Sequence, residues 1–177
     1  EMMLSVAIIA VMAGLSMQCF SAGSNSFDFG ARSVRLNSEA RKGMEKMIRE
    51  LRNSSPSRLN LSNLPAGTLI RFQLPSRISP SVVWSPNWIE YRLIGASGDQ
   101  LVRIDTGSNQ IAYIANKVTN VRFTLQDEPL NPGGQNAMSN LVNTKVMSLT
   151  VSCRDTTNQG RAIPLTLTGF VDFRNTT

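Results

Sequence analysis

Residues 2–17, Met-Met-Leu-Ser-Val-Ala-Ile-Ile-Ala-Val-Met-Ala-Gly-Leu-Ser-Met, carry no charge, and Glu1 stands directly before them. A run this apolar belongs in lipid or in an assembly that imitates lipid. A carboxylate at its edge then needs a cation or a hydrogen-bond donor. Three readings compete for the run. A cleaved signal peptide has the right apolar length, but a basic segment in front is lacking and Phe20-Ser-Ala-Gly23 is a poor cleavage site. A buried core helix needs cover on all sides, and no other segment offers it. A membrane anchor needs roughly 20 residues to cross the hydrocarbon core; Met2 to Met17 falls short, extension to Phe20 brings in Gln18 and helps only a little, and the anchor reading takes a few residues to be missing at its front. The anchor is the reading the sequence favours.

The chain's 177 residues suit one domain plus such an appendage. Histidine is absent, which removes the commonest general base and metal ligand together. The two cysteines, Cys19 and Cys153, stand at the end of the apolar run and in a downstream strand. No CxxC or Cys/His cluster points to zinc, and no disulfide between the two is expected. There is no glycine-rich phosphate loop. Asp127 and Glu128 form a weak calcium pattern with few further oxygen ligands. The chain therefore reads as non-enzymatic, with no catalytic residue, no cofactor and no metal.

The net charge of +6 is concentrated in one segment. Between Arg32 and Arg58 lie eight Arg or Lys residues against three Glu, so the remainder is close to neutral. Within that segment Ala40, Met44, Met47, Ile48 and Leu51 fall on one face of a helix. This stripe reads as core that lies on the following sheet, in preference to a binding groove. Arg41, Lys42, Lys46 and Arg49 occupy the other faces, with Glu45 spaced for an i,i+4 pair with Arg49. They form a solvated face, or contacts to phosphates or an acidic partner. Ser21 to Ser26 and Gly30 weaken the helical pattern, as a kink, a melted turn or a poor but continuous helix. Asn53-Ser-Ser-Pro56 ends the helix.

After Pro56 the period changes to two. Ile70/Phe72/Leu74, Ile89/Tyr91/Leu93, Val121/Phe123/Leu125, Met147/Leu149/Val151/Cys153 and Leu165/Leu167 each alternate with polar residues, as half-buried strands do. Gly95-Ala-Ser-Gly98 and Thr106-Gly-Ser-Asn109 fit hairpin turns. Residues 154–161 read as a longer hairpin loop, and 127–136 as an exposed loop. Trp84, Trp88 and Tyr91 read as core, or as an exposed contact patch. The expected class is α+β: a long N-terminal helix, apolar in its membrane half and amphipathic beyond, packed on an antiparallel sheet. The expected boundaries are 1–20 for the transmembrane and assembly helix, 21–55 for its amphipathic continuation and 56–177 for a β-rich head.

The segment Glu1-Met-Met-Leu-Ser-Val-Ala-Ile-Ile-Ala-Val-Met-Ala-Gly-Leu15 resembles the N-terminus of type IV pilins and type II secretion pseudopilins. Residues 83–93, 100–105, 114–123 and 169–175 are similar to the larger minor pseudopilins, of the J-like or W-like type. The resemblance implies a minor subunit that primes or tips a pilus or pseudopilus, anchored in the bacterial inner membrane with its head in the periplasm. Its partners would be other minor and major pilin or pseudopilin subunits and, during maturation, a prepilin peptidase. Glu1 would match the family's glutamate, which is thought to pair with the N-terminal amine of a neighbouring subunit. The bland alternative for Glu1 is a favourable charge at the helix N-terminus. Ala7, Ala10, Ala13 and Gly14 would give small surfaces for helix contact. The alternative function is a DNA-uptake subunit that binds phosphates through Arg41, Lys42, Lys46 and Arg49.

Overall fold

The computed structural model describes residues 2–61, 68–77, 81–125 and 146–174. One helix, α1, runs without a break from Met2 to Arg52. At about 1.5 Å per residue it is about 77 Å long. A 3-10 turn at Pro56–Arg58 leads into the strands: β1 (Leu59–Asn60), β2 (Thr68–Arg77), β3 (Val83–Ile94), β4 (Gln100–Asp105), β5 (Gln110–Ala115), β6 (Val118–Leu125), β7 (Val146–Thr156) and β8 (Ala162–Asp172). The fold class is α+β, with a long N-terminal helix packed on antiparallel sheet.

The described strands form two sheets rather than one. The first has the order β1-β2-β3-β4-β5, and the second β6-β7-β8, with every pairing antiparallel. Two residues, Asn116 and Lys117, carry the chain from one sheet to the other. Lys117 adopts φ +60°, a left-handed conformation uncommon outside glycine. The corner is held by hydrogen bonds from Val118 N–H to Asp99 O and from Arg154 N–H to Lys117 O. The β7–β8 pairing extends through Asp155↔Ile163 and Thr156↔Ala162, so the connecting loop is shorter than residues 154–161. The strand alternation is clearest in β7, where Met147, Leu149, Val151 and Cys153 are all buried.

The helix meets the head through its second half. Leu36, Ala40, Gly43, Met47 and Leu51 are buried, and Met44 and Ile48 pack at the margin. Burial of a large aliphatic side chain contributes about 1.5–3 kcal/mol, so this stripe fixes the helix on the sheets. Two glycines set how closely it approaches. A Cβ at Gly43 would stand 3.1 Å from the Ile114 methyl of β5. A Cβ on Gly169 of β8 would meet Ile48 Cδ1 at 2.7 Å and Met44 Sδ at 3.3 Å. Arg49 and Arg52 suit the negative end of the helix dipole. Arg174 N–H caps the Arg52 carbonyl at 3.1 Å, and the buried Ser54 hydroxyl donates to Gln73 O at 2.8 Å.

The Ser/Gly stretch at 21–30 is a continuous helix, which resolves the three alternatives the sequence left open. Gly23 and Gly30 each cost about 1 kcal/mol relative to alanine there. From Asn25 onward the β7–β8 hairpin lines the helix and supports it.

Leu51→Ala should destabilise the chain in detergent by about 2–5 kcal/mol in denaturant melts. Val34→Ala, on the exposed side of the same helix, should change it by less than about 0.5 kcal/mol. Equal effects would contradict the seating of the helix.

Candidate functional site

From Met2 to Ser24 every residue of α1 is exposed. These 23 residues span about 35 Å, against a hydrocarbon core of about 30 Å. By length and composition this half of the helix is a candidate membrane span, compatible with single-pass anchoring. Glu1 lies outside the described residues. Ala7, Ala10, Ala13 and Gly14 are all exposed. At about 100° per residue they spread over roughly a third of the helix circumference. A Cβ on Gly14 would find nothing within 4 Å.

The basic candidates lie past the middle of the helix. Arg41, Lys42 and Arg49 are exposed and Lys46 is half-buried. Lys42, Lys46 and Arg49 share one strip, while Arg41 is turned about 100° from Lys42. The i,i+4 pair expected of Glu45 and Arg49 is not closed. The helix's own ion pairs are Asp28–Arg32 at 2.8 Å and Arg35–Glu39 at 2.9 Å.

Two polar clusters escaped the sequence reading. Glu50 lies outside the apolar stripe of the helix, yet both of its oxygens accept from Arg103 Nε at 2.9 Å. Tyr91 Oη donates to the same carboxylate at 3.0 Å. Arg103 and Glu50 are about four-fifths buried, and Tyr91 stacks on Phe72 at 6.0 Å. Burial, with the Glu50 charge behind it, raises the Tyr91 pKa and keeps its hydroxyl protonated. The cluster ties α1 to β3 and β4. On the opposite face of that sheet Glu90 is buried between Arg71 (3.2 Å) and Arg92 (2.8 Å). Arg71 Nε is an ion-pair neighbour of Glu90 by distance, without hydrogen-bond geometry. Arg71 also covers the Trp88 ring at 4.8 Å, and Arg58 the Trp84 ring at 5.8 Å. Both tryptophans are half-buried beneath arginines, and Tyr91 is core.

A third cluster joins the β7–β8 hairpin to the helix. Arg32 donates to Asp28 Oδ1, to Thr156 O at 3.2 Å and to Asn158 Oδ1 at 2.6 Å. Asn158 N–H donates to Asp28 Oδ2 at 3.4 Å, and Arg161 stacks on Phe29 at 4.5 Å. Lys117 pairs with Asp155 close by. Asp28, Arg32, Lys117 and Asp155 border an open groove of about 670 Å³ that also includes Arg35, Glu39 and Asp99. Among the described residues no three Cys, Asp or Glu side chains form a group that could hold a metal ion. Asp127 and Glu128 lie outside the described residues.

The Arg32 hydrogen bond holds the Asp28 carboxyl below its ordinary range. At Asp155 burial pushes upward, but the bonds from Lys117 and Thr156 N–H outweigh it and the pKa is again lowered. A carboxylate lowered on folding stabilises above its unfolded pKa, about 3.9, and loses that contribution as pH falls through its folded value. The hairpin clasp should therefore be intact at pH 5 and above and open progressively below about pH 4. Amide exchange at residues 157–161 should accelerate there before the β7 core does; simultaneous acceleration would show that the clasp does not open first.

Cys153 is buried, which raises its thiol pKa to about 11, with the Glu39 charge adding to the effect. Cys19 is exposed. In detergent a maleimide should label Cys19 promptly and Cys153 only after unfolding. Labelling of both at similar rates would contradict this burial. No family model, curated protein or solved structure matches the chain.

Proposed function

We propose that the chain is a minor pilin or pseudopilin: a non-catalytic subunit, anchored in the inner membrane, that primes or tips a short filament. One observation carries the reading. A single unbroken helix leaves its apolar half free for about 35 Å and seats its amphipathic half on a β-rich head. A helix continuous from anchor to head suits a subunit packed beside others, because it fixes the height of the head relative to the membrane. The resemblance of residues 1–15 to the family's N-terminus supports the same reading. In it Glu1 pairs with the N-terminal amine of a neighbour and sets the axial register. Ala7, Ala10, Ala13 and Gly14 allow close helix contact. Other pilin or pseudopilin subunits are the partners, and a prepilin peptidase acts before assembly.

N-terminal sequencing and intact mass of the protein from its native membranes test this. The expected result is a short apolar stretch ahead of Glu1, exposed by cleavage after a glycine and carrying one extra methyl group. A mature end elsewhere, or an uncleaved precursor, would overturn the assignment.

The second reading is DNA uptake. The observation in its favour is that Arg41, Lys42, Lys46 and Arg49 take part in none of the ion pairs formed by the described residues. On that reading the full chain in detergent retains duplex DNA at low salt and releases it as salt rises. Lys42→Ala with Lys46→Ala and Arg49→Ala should then weaken retention. No retention at low salt removes this reading.

A further inference from the structure

The β7–β8 hairpin descends along the helix. Arg174 N–H caps the Arg52 carbonyl at the far end, Gly169 lies against Met44 and Ile48, and the Arg161 guanidinium covers the Phe29 ring. The tip, residues 157–161, is therefore the part of the hairpin nearest the apolar half of α1. It is a tight, internally bonded turn. Gly160 N–H donates to Thr157 O at 2.9 Å, Thr157 N–H to Arg161 O at 2.9 Å and Arg161 N–H to Thr157 Oγ1 at 3.0 Å. Gly160 takes φ +79°, a conformation that glycine adopts without strain. The bonds of Asn158 to Asp28 and Arg32 fix this turn on the helix.

Height and chemistry both point the tip at a lipid surface. Phe20 is the last large apolar residue before the polar stretch that begins at Ser21, and Asn25 is the first helix residue that is not fully exposed. Five residues, about 7.5 Å, separate the two. The headgroup layer adds about 5–7.5 Å to the hydrocarbon core on each side. Hydrocarbon that ends at Phe20 thus sets Asn25 at the outer limit of the headgroups, and an average tilt of about 20° towards the hairpin brings the tip lower. At that level a cleft of about 80 Å³ opens between tip and helix, bordered by Asn25, Ser26, Phe29, Gln159 and Arg161. Asp28 also borders it, but Arg32 meets its charge at 2.8 Å. No carboxylate stands among residues 156–161. Arg161 enters none of the ion pairs formed by the described residues. The Phe29 ring holds its guanidinium in place at 4.5 Å. Asn25, Ser26 and Gln159 bring further side-chain donors to the same cleft. A phosphodiester, with one negative charge and only acceptor oxygens, matches that set. At this height the phosphodiesters at hand are those of the bilayer that the helix enters.

We propose that the tip of the β7–β8 hairpin is a lipid-docking surface: Arg161, held on Phe29, takes a headgroup phosphate in the cleft beside Asn25 and Ser26 and seats the head on the membrane. Anionic lipid strengthens the contact, because the surface potential attracts an arginine close to it. The inference rests on the anchored helix of the reading above, and not on the filament.

The test uses the full chain in phosphatidylcholine vesicles with or without phosphatidylglycerol. A fluorophore sits on Thr156→Cys, an exposed position outside the cleft, in a Cys19→Ser background, and the buried Cys153 stays unlabelled. Lipid carrying a nitroxide on its headgroup should quench this dye, more strongly with phosphatidylglycerol present. A dye on Ser108→Cys, in the turn at the opposite end of β5 from the Lys117 corner, should not be quenched. Arg161→Gln should lower the ratio of docked to free tip about fivefold, and Arg161→Lys, which keeps the charge, should restore most of it. Gln159→Glu, which leaves the Arg161–Phe29 stack in place, should weaken docking as Arg161→Gln does. Absent quenching at the tip, or quenching indifferent to both Arg161→Gln and Gln159→Glu, would overturn the inference. Displacement by inorganic phosphate at constant ionic strength would show a site for a free anion and overturn it too. So would contact that appears only as the protein-to-lipid ratio rises, which would put another protein under the hairpin. A dye on the native Cys19, quenched by a nitroxide near the top of the acyl chain, reports the anchor itself. A quenched Cys19 with an unquenched tip leaves the anchored reading standing and removes the docking surface; an unquenched Cys19 removes both.

Discussion

The seating of one helical stripe, Leu36 to Leu51, on two separate sheets is the contact on which the rest of the molecule depends. Neither sheet closes a core alone. Gly43 lets the helix approach β5 of the first sheet, and Gly169 lets β8 of the second approach the helix. The connection between the sheets is only two residues long. The helix is therefore both the anchor-bearing element and the bridge across the head. Its polar margin repeats the arrangement: Glu50 reaches β3 and β4, while Asp28 and Arg32 hold the β7–β8 hairpin.

This arrangement separates the helix into two chemical regimes. Below Asn25 the apolar side chains of the helix are exposed on every side. Above it, one face is dry and the opposite face is wet. Phe27 and Val34 break the second regime. They are the apolar residues of the upper half that the head leaves uncovered.

Much of this was legible in the sequence. The 3.6-residue stripe at Ala40, Met47 and Leu51 and the two-residue alternation from Met147 to Cys153 are strong local signals, and both fall in the core. Other features carry no local signal. The division into two sheets turns on Lys117, a lysine in a conformation that glycine normally marks. Glu50 looks solvated on a helical wheel, because its partner Arg103 arrives from a strand 53 residues later. Glu90 sits at a polar position of its strand, yet Arg71, Arg92 and the Trp88 platform bury it. At the candidate site the small residues and the cations were found by type. Their distribution around the helix axis, which separates Arg41 from Lys42, Lys46 and Arg49, follows from about 100° per residue once the segment is one continuous helix.

The unbroken helix also has a mechanical consequence. No hinge or linker separates the anchor from the head along its 51 residues. With its apolar half held in a bilayer, the helix would act as a lever about 77 Å long. Transmembrane helices tilt by about 20° on average, and a tilt of that size about the Met2 end would carry the far end sideways by about 26 Å. Rotation of the anchor about its own axis likewise turns the whole head through the same angle. In a bilayer, small changes in lipid thickness would thus be converted into large changes in where the head points.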